Sequence, residues 1–152
     1  MGVRLTFEPF DPGALLTAFS QGREETGAIA TFTGIARAEA GATTALELEA
    51  YPGFTENHIT RTAELAKVRF GLDDWLVLHR IGQIAPGEPV VFVATAARHR
   101  RAAFEACDFL MDDLKSRAPF WKKEHGPDGA RWVEPRPQDH TDVARWDKEI
   151  SE

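Results

Sequence analysis

Apolar residues recur along this chain in two rhythms, and the switches between them set out its elements. Val3, Leu5 and Phe7 alternate with their neighbours until Pro9 and Pro12, which predicts a short edge strand. Leu15, Leu16 and Phe19 predict a short helix that stops at the turn around Gly22. The run GAIATFTG, 27–34, sets β-branched and apolar residues between two glycines and predicts a buried strand; the small, polar IARAEAGATT after it reads as a mobile loop. In TALELEAY, Leu46, Leu48 and Ala50 face one way while Glu47 and Glu49 face the other, the alternation of a strand with one wet face.

Helical spacing takes over at Ile59, Ala63, Ala66 and Phe70, with Thr55 as the expected N-cap and Gly71 as the C-cap. Trp75–Ile81 and Pro89–Ala96 are strong strands around a Pro86-Gly87 turn, together a long hairpin. A second amphipathic helix carries Phe104, Cys107, Met111 and Leu114 as one apolar stripe, and Pro119 ends it at or before Ala118. An aromatic-basic loop, PFWKKEH, follows, then a short strand near Trp132–Glu134 and a polar tail from about residue 135. With no repeat, low-complexity tract or linker, this order predicts a single α+β domain over 1–152 with a largely antiparallel sheet.

Composition narrows the function classes. The chain of 152 residues is 43% hydrophobic and 28% charged, as in an ordinary soluble protein. A net charge of −6 and a pI near 5.4 argue against broad duplex nucleic-acid binding, which depends on neutralising phosphates. No apolar run approaches the ~18 residues of a membrane span. The opening Met-Gly-Val-Arg-Leu-Thr fits the short myristoylation pattern at Gly2, yet no basic cluster follows to supply a second anchor. A lone cysteine, Cys107, precludes an internal disulfide, and a cytoplasmic setting is expected.

Charge is unevenly spread. Between Arg98 and His125 seven Lys or Arg residues meet five acids, a local +2 that leaves −8 on the remainder. That is the footprint of a focused anion site. His99 and Arg100, where a strand ends and a helix begins, read either as an anion site on the helix amides or as a solvated turn. Lys115 and Arg117 suit a helix C-terminus on structural grounds alone. Lys122 and Lys123 follow Phe120 and Trp121, whose packing would hold them in place; a lysine held near other cations and partly desolvated can serve as base or nucleophile near neutral pH. Arg37 lies just past a strand end, and Cys107 falls on the apolar stripe as a buried thiol. Asp112 and Asp113 point in different directions on their helix and make a poor acid–base pair. The five histidines show no metal-ligand spacing, so neither a metal nor a cofactor is expected.

Five blocks in order carry a resemblance: TFTGIAR at 31–37, LEAYPGFTE at 48–56, HRIGQIAPGE at 79–88, HRRAAFEACDFLMDDLKSRAPFWKKE at 99–124, and RWVE at 131–134. Together they resemble the large, catalytic subunit family of molybdopterin synthase. The resemblance implies an α/β hammerhead with an additional antiparallel sheet. It implies a sulfurtransferase of molybdenum cofactor biosynthesis, which turns cyclic pyranopterin monophosphate into the molybdopterin dithiolene. The sulfur comes from the C-terminal Gly-Gly thiocarboxylate of a small ubiquitin-like carrier, and a homodimer of large subunits with two carriers forms a heterotetramer. Carried over by position, Lys115 and Lys122 are the catalytic lysines. Ile35, Ala36 and Arg37 form the substrate-binding loop, Lys123 and Glu124 complete the second-lysine segment, and His99 and Arg100 hold substrate anions from the neighbouring subunit. Ile35 departs from relatives that carry lysine there. Two other classes are set beside this one: a non-catalytic module for the carboxylate tail of a small protein, and a different phosphate-ester enzyme.

Overall fold

The computed structural model describes residues 2–38 and 45–148. Most of the loop predicted after Ile35 lies outside the described residues. The elements run β1 (Gly2–Thr6), α1 (Pro12–Ser20), β2 (Ala28–Ile35), β3 (Ala45–Ala50), α2 (Phe54–Phe70), β4 (Leu72–Arg80), β5 (Gly82–Ile84), β6 (Pro89–Ala97), α3 (Arg100–Ser116), β7 (Phe120–Gly126), β8 (Gly129–Val133) and α4 (Pro137–Lys148).

Two four-stranded sheets result, ordered β1-β4-β6-β2 and β5-β3-β7-β8. Among the described residues only β1–β4 is parallel, so the expected α+β class with largely antiparallel pairing is what forms. In the first sheet β4 and β6 occupy the centre and are covered on both faces, which explains their near-continuous apolar runs. One face packs Val77, Val91 and Val93 under α2 and α3; the other packs Leu76, Leu78 and Phe92 against Phe19 of α1. Small residues bring α3 close to the sheet: Ala97, Ala103 and Ala106 are sealed, and the Thr95 hydroxyl donates to the Ala103 carbonyl at 2.7 Å. Leu46, Leu48, Ile84 and Ala36 make a smaller core beneath the second sheet, with Phe120 against it.

Several expectations change. The strand expected at Trp75–Ile81 forms as Leu72–Arg80, but the turn expected after it begins with a further strand, because Gly82 adopts φ 82° and swings the chain out of the first sheet into β5 of the second. The strand predicted as buried, β2, is an edge strand with Thr31, Phe32 and Ile35 exposed. Thr55 is not the N-cap of α2, which opens on Gly53; its buried hydroxyl instead donates to the Pro119 carbonyl (2.8 Å) and accepts from the Tyr51 amide (2.9 Å). On α3 the buried stripe runs through Ala103, Cys107, Leu110, Met111 and Leu114, while Phe104 turns outward at 65% exposure. The aromatic-basic loop is strand β7, since pairing with β3 and β8 satisfies its backbone on both edges.

The polar tail expected from about 135 is α4, a helix docked on α2 and α3. Its Asp139, Val143 and Trp146 are buried at i, i+4 and i+7. Trp146 meets Phe70 and Phe109 edge-on, and its indole N–H donates to Asp112 at 2.6 Å. Arg145 bridges Asp108 and Asp112, and Arg117 pairs with Asp147 at 2.6 Å. Trp146→Ala should therefore lower stability in urea unfolding by about 3 kcal/mol, as for a buried tryptophan elsewhere. A change within about 0.5 kcal/mol, the size typical of an exposed surface position, would mean that α4 is not docked.

Candidate active site

The eight residues from Lys115 to Lys122 carry the chain from the last turn of α3 into β7. Three contacts fix their path. Arg117 and Ala118 amides both donate to the Asp113 carbonyl, at 2.8 and 2.9 Å, which closes the helix. The Pro119 carbonyl is held by Thr55 of α2. The Phe120 ring then stacks on His79 of β4, with centroids 4.3 Å apart and planes at 26°. Past this clamp, Lys122 sits opposite Leu48 of β3 and Val133 of β8, half-buried on the sheet face that bears Phe120.

Lys115 and Lys122 are thereby brought together, as the resemblance implies for catalytic lysines. Desolvation by surrounding protein holds the Lys115 ammonium below the usual lysine range, and the Lys122 cation adds to the depression. Lys115 is nonetheless an exposed residue. Water therefore screens part of the effect in the isolated chain.

Three further residues, unmarked in the sequence reading, stand around Lys115. Arg136 and Asp139 come from the start of α4, and their charges reach Lys115. The Ser116 hydroxyl donates to the Asp139 carbonyl at 2.9 Å, tying α4 to the end of α3 one residue beyond Lys115. Burial pushes the Asp139 carboxyl up, and hydrogen bonds from Arg136 outweigh it, leaving the group below its ordinary value. The third is His79, 7% exposed. Burial, opposed by its bond to the Arg80 carbonyl and assisted by Lys115, holds its pKa down to about 4. A carbonyl only accepts, so Nδ1 carries the proton in that 2.8 Å bond and the ring is neutral. The helical spacing of Asp139, Val143 and Trp146 was a signal for α4; nothing in the sequence marked His79.

The other expected site residues divide. Lys123 points to the opposite face of β7 from Lys122, with its ammonium 4.9 Å from the Trp132 ring centre. It joins an aromatic surface of Tyr51, Trp121 and Trp132, where the Trp121 indole donates to the Tyr51 hydroxyl. Glu124 shares the Lys122 face and pairs with Arg131 at 3.1 Å. Ala36 is 2% exposed; its amide donates to the Glu88 carbonyl at 2.9 Å, and its carbonyl accepts from the Gly87 amide. That doubly held backbone fixes where exposed Ile35 and Arg37 leave β2, and the part-buried Arg80–Glu88 ion pair, 2.9 Å, braces the turn it binds. His99 and Arg100 are exposed at the far end of α3, about 22 Å from Lys115 at the rise of an α-helix. One chain does not unite them with the lysines.

A family model described as MoaE protein matches residues 5–117. The chain belongs to the MoaE family. Among the family's members, the molybdopterin synthase catalytic subunit of Caulobacter vibrioides is 67% identical over 149 residues, covering 98% of this chain and 99% of its own. The molybdopterin biosynthesis MoaE protein of Burkholderia ambifaria superimposes with a TM-score of 0.81 at 42% identity, over 95% of this chain and 97% of its own. The crystal structure of molybdopterin synthase from Staphylococcus aureus gives 0.77 at 28% identity, over 86% of this chain and 95% of its own.

Two titrations probe this MoaE site. Lys122→Met removes a neighbouring cation, so the Lys115 pKa should rise toward the ordinary lysine value, read by NMR of the side-chain methylene; an unmoved titration would separate the two charges. Between pH 6.5 and about 4 the unfolded chain binds a proton at His79 that the folded chain refuses. Its contribution to stability is thus complete above 6.5 and is lost as pH falls toward 4. His79→Gln should flatten that part of the stability–pH curve in urea unfolding, and an unchanged slope would contradict the neutral buried ring.

Proposed function

We propose that the junction between the end of α3 and β7 is the sulfur-transfer centre of this chain. The chain acts as a molybdopterin synthase catalytic subunit, a sulfurtransferase that delivers sulfur to a pyranopterin. The observation that carries the placement is the convergence of Lys115 and Lys122 at the junction of α3 and β7, where partial desolvation and the neighbouring cation both lower Lys115.

The chemistry asks for cations. The donor is the C-terminal Gly-Gly thiocarboxylate of a small ubiquitin-like carrier and the acceptor is cyclic pyranopterin monophosphate, so two anions must meet. Lys115, Lys122 and Arg37 offset their repulsion in a setting partly withdrawn from water. The thiocarboxylate sulfur attacks a side-chain carbon of the pterin, forming the new carbon–sulfur bond as the carbon–oxygen bond at that carbon breaks and the departing oxygen takes up a proton. Water then cleaves the acyl–sulfur bond and returns the carrier with a carboxylate. Lys115 positions the thiocarboxylate and, because its ammonium gives up a proton more readily than a free lysine, assists proton transfer during the attack. Lys122 stabilises charge on the substrate or acyl intermediate.

His99 and Arg100 supply anion contacts from a second copy of the chain, which makes a homodimer the working unit and a heterotetramer with two carriers the full assembly, in the cytoplasm. Their 22 Å or so of separation from Lys115 along α3 supports this division into half-sites. Ile35 and Arg37 border the substrate from the bridged loop, and Ala36 contributes through its backbone. Lys123 and Glu124 frame Lys122 from opposite faces of β7.

Mixing the protein with thiocarboxylated carrier and cyclic pyranopterin monophosphate should yield dithiolene product. Lys115→Ala should cut turnover by about a hundredfold or more with the circular dichroism spectrum unchanged. Full activity in that folded variant would reject the assigned role. Carrier binding without turnover by the natural chain would instead favour a tail-binding module, and turnover of unrelated phosphate esters without sulfur transfer would favour a different enzyme.

A further inference from the structure

Around Lys115 the described residues place two other cations, Lys122 from β7 and Arg136 from the start of α4, beside the neutral His79 ring of β4. Three like charges at one place repel one another unless an anion stands among them. The carboxylate whose charge acts on Lys115 there is Asp139. Its geometry is specific. Asp139 is 8% exposed, and it accepts from the Arg136 backbone amide (3.0 Å), from Nε (3.5 Å) and from a terminal guanidinium nitrogen (3.1 Å). Its own carbonyl is held by Ser116, the residue after Lys115. The carboxylate is fixed from both ends, while the Arg136 side chain is about three-quarters exposed.

That asymmetry separates two roles. As the third residue of α4, Asp139 accepts from the amide just before the helix, one half of a capping arrangement that any side-chain acceptor of the right length performs. The added grip on the guanidinium does little for stability, because an exposed ion pair is worth about 0–1 kcal/mol. What it does is orientation: with two nitrogens on the carboxylate, the remaining guanidinium hydrogens are left to an incoming anion.

We propose that Asp139 is a positioning residue for sulfur transfer, fixing the Arg136 guanidinium beside the end of α3 and placing there a negative charge that acts on Lys115. This rests on the reading of the α3–β7 junction as the sulfur-transfer centre. Asp139 touches no reacting atom; it acts through Arg136 and Lys115. With it in place Arg136 receives the substrate anion from a fixed direction, and Asp139 offsets part of the cation repulsion on Lys115 before the substrate's own negative charge does the same.

Asp139→Asn tests it, since asparagine keeps an acceptor for the α4 amide and removes only the charge. With the full chain, thiocarboxylated carrier and cyclic pyranopterin monophosphate, kcat should fall by roughly ten- to a hundredfold. The alkaline limb of the kcat–pH profile should move to lower pH, and thermal unfolding should change little. Wild-type kcat with an unmoved profile would overturn the proposal. NMR titration of the Lys115 side chain gives a readout independent of turnover: its pKa should fall further in Asp139→Asn, and an unmoved value overturns the proposal even when the natural chain is active. Should Asp139→Asn fail to fold, Arg136→Gln leaves the carboxylate and the helix start intact. In that variant the Lys115 pKa should rise, and a titration that stays in place overturns the proposal. Absence of dithiolene product from the natural chain is a different outcome, one that removes the sulfur-transfer reading while the titrations still report on the carboxylate.

Discussion

The clamp between α3 and β7 governs the rest of this structure. Thr55 holds the Pro119 carbonyl, and Phe120 lies flat on His79, so the chain that leaves the helix over the first sheet must enter the second sheet in one register. Because side chains alternate across a strand, that register decides which of two adjacent lysines faces Lys115. A slip of one residue would turn Lys122 out to the aromatic surface and bring Lys123 in. A polar hydroxyl with both of its bonds made and a neutral ring sealed under a phenyl are what prevent the slip.

The clamp also sets the electrostatics. Sealing His79 keeps it uncharged, so the ring adds no cation to a place that already holds Lys115, Lys122 and Arg136. Docking α4 through Trp146 and Val143 delivers Asp139 to the same place. The result is a site with more positive than negative charge, part of it desolvated, and therefore most comfortable when anions occupy it. Cys107 illustrates the contrast. Its thiol is buried on the core stripe of α3 and pushed up to about 12 by desolvation, which leaves it inert as a sulfur carrier or nucleophile.

Much of the fold was legible along the chain. The β4–β6 hairpin pairing, the one wet face of β3, the two long amphipathic helices and the Gly71 stop all follow from local pattern. The errors share a cause. Phe104 looked like core because it fits a helical stripe, yet the sheet surface accepts Ala103 and Ala106 at closer range. PFWKKEH looked like a loop because its charges hide an alternation that only pairing with β3 makes useful. The segment after 135 looked like a tail because its apolar residues are few, although they are spaced for a helix.

By itself, the sequence determined which residue types were available for an anion site, the class of fold, and, through five ordered blocks, the family to compare. It could not determine which lysine faces which, nor that Asp139, Arg136 and His79 stand around Lys115. Those are distances between elements remote in the chain, and they arise only when backbone pairing and core packing fix every rotation at once. Local pattern carries information over a few residues; the site is assembled from β4, α3, β7 and α4, whose relative placement is set by the clamp at Pro119-Phe120 and by the docking of Trp146.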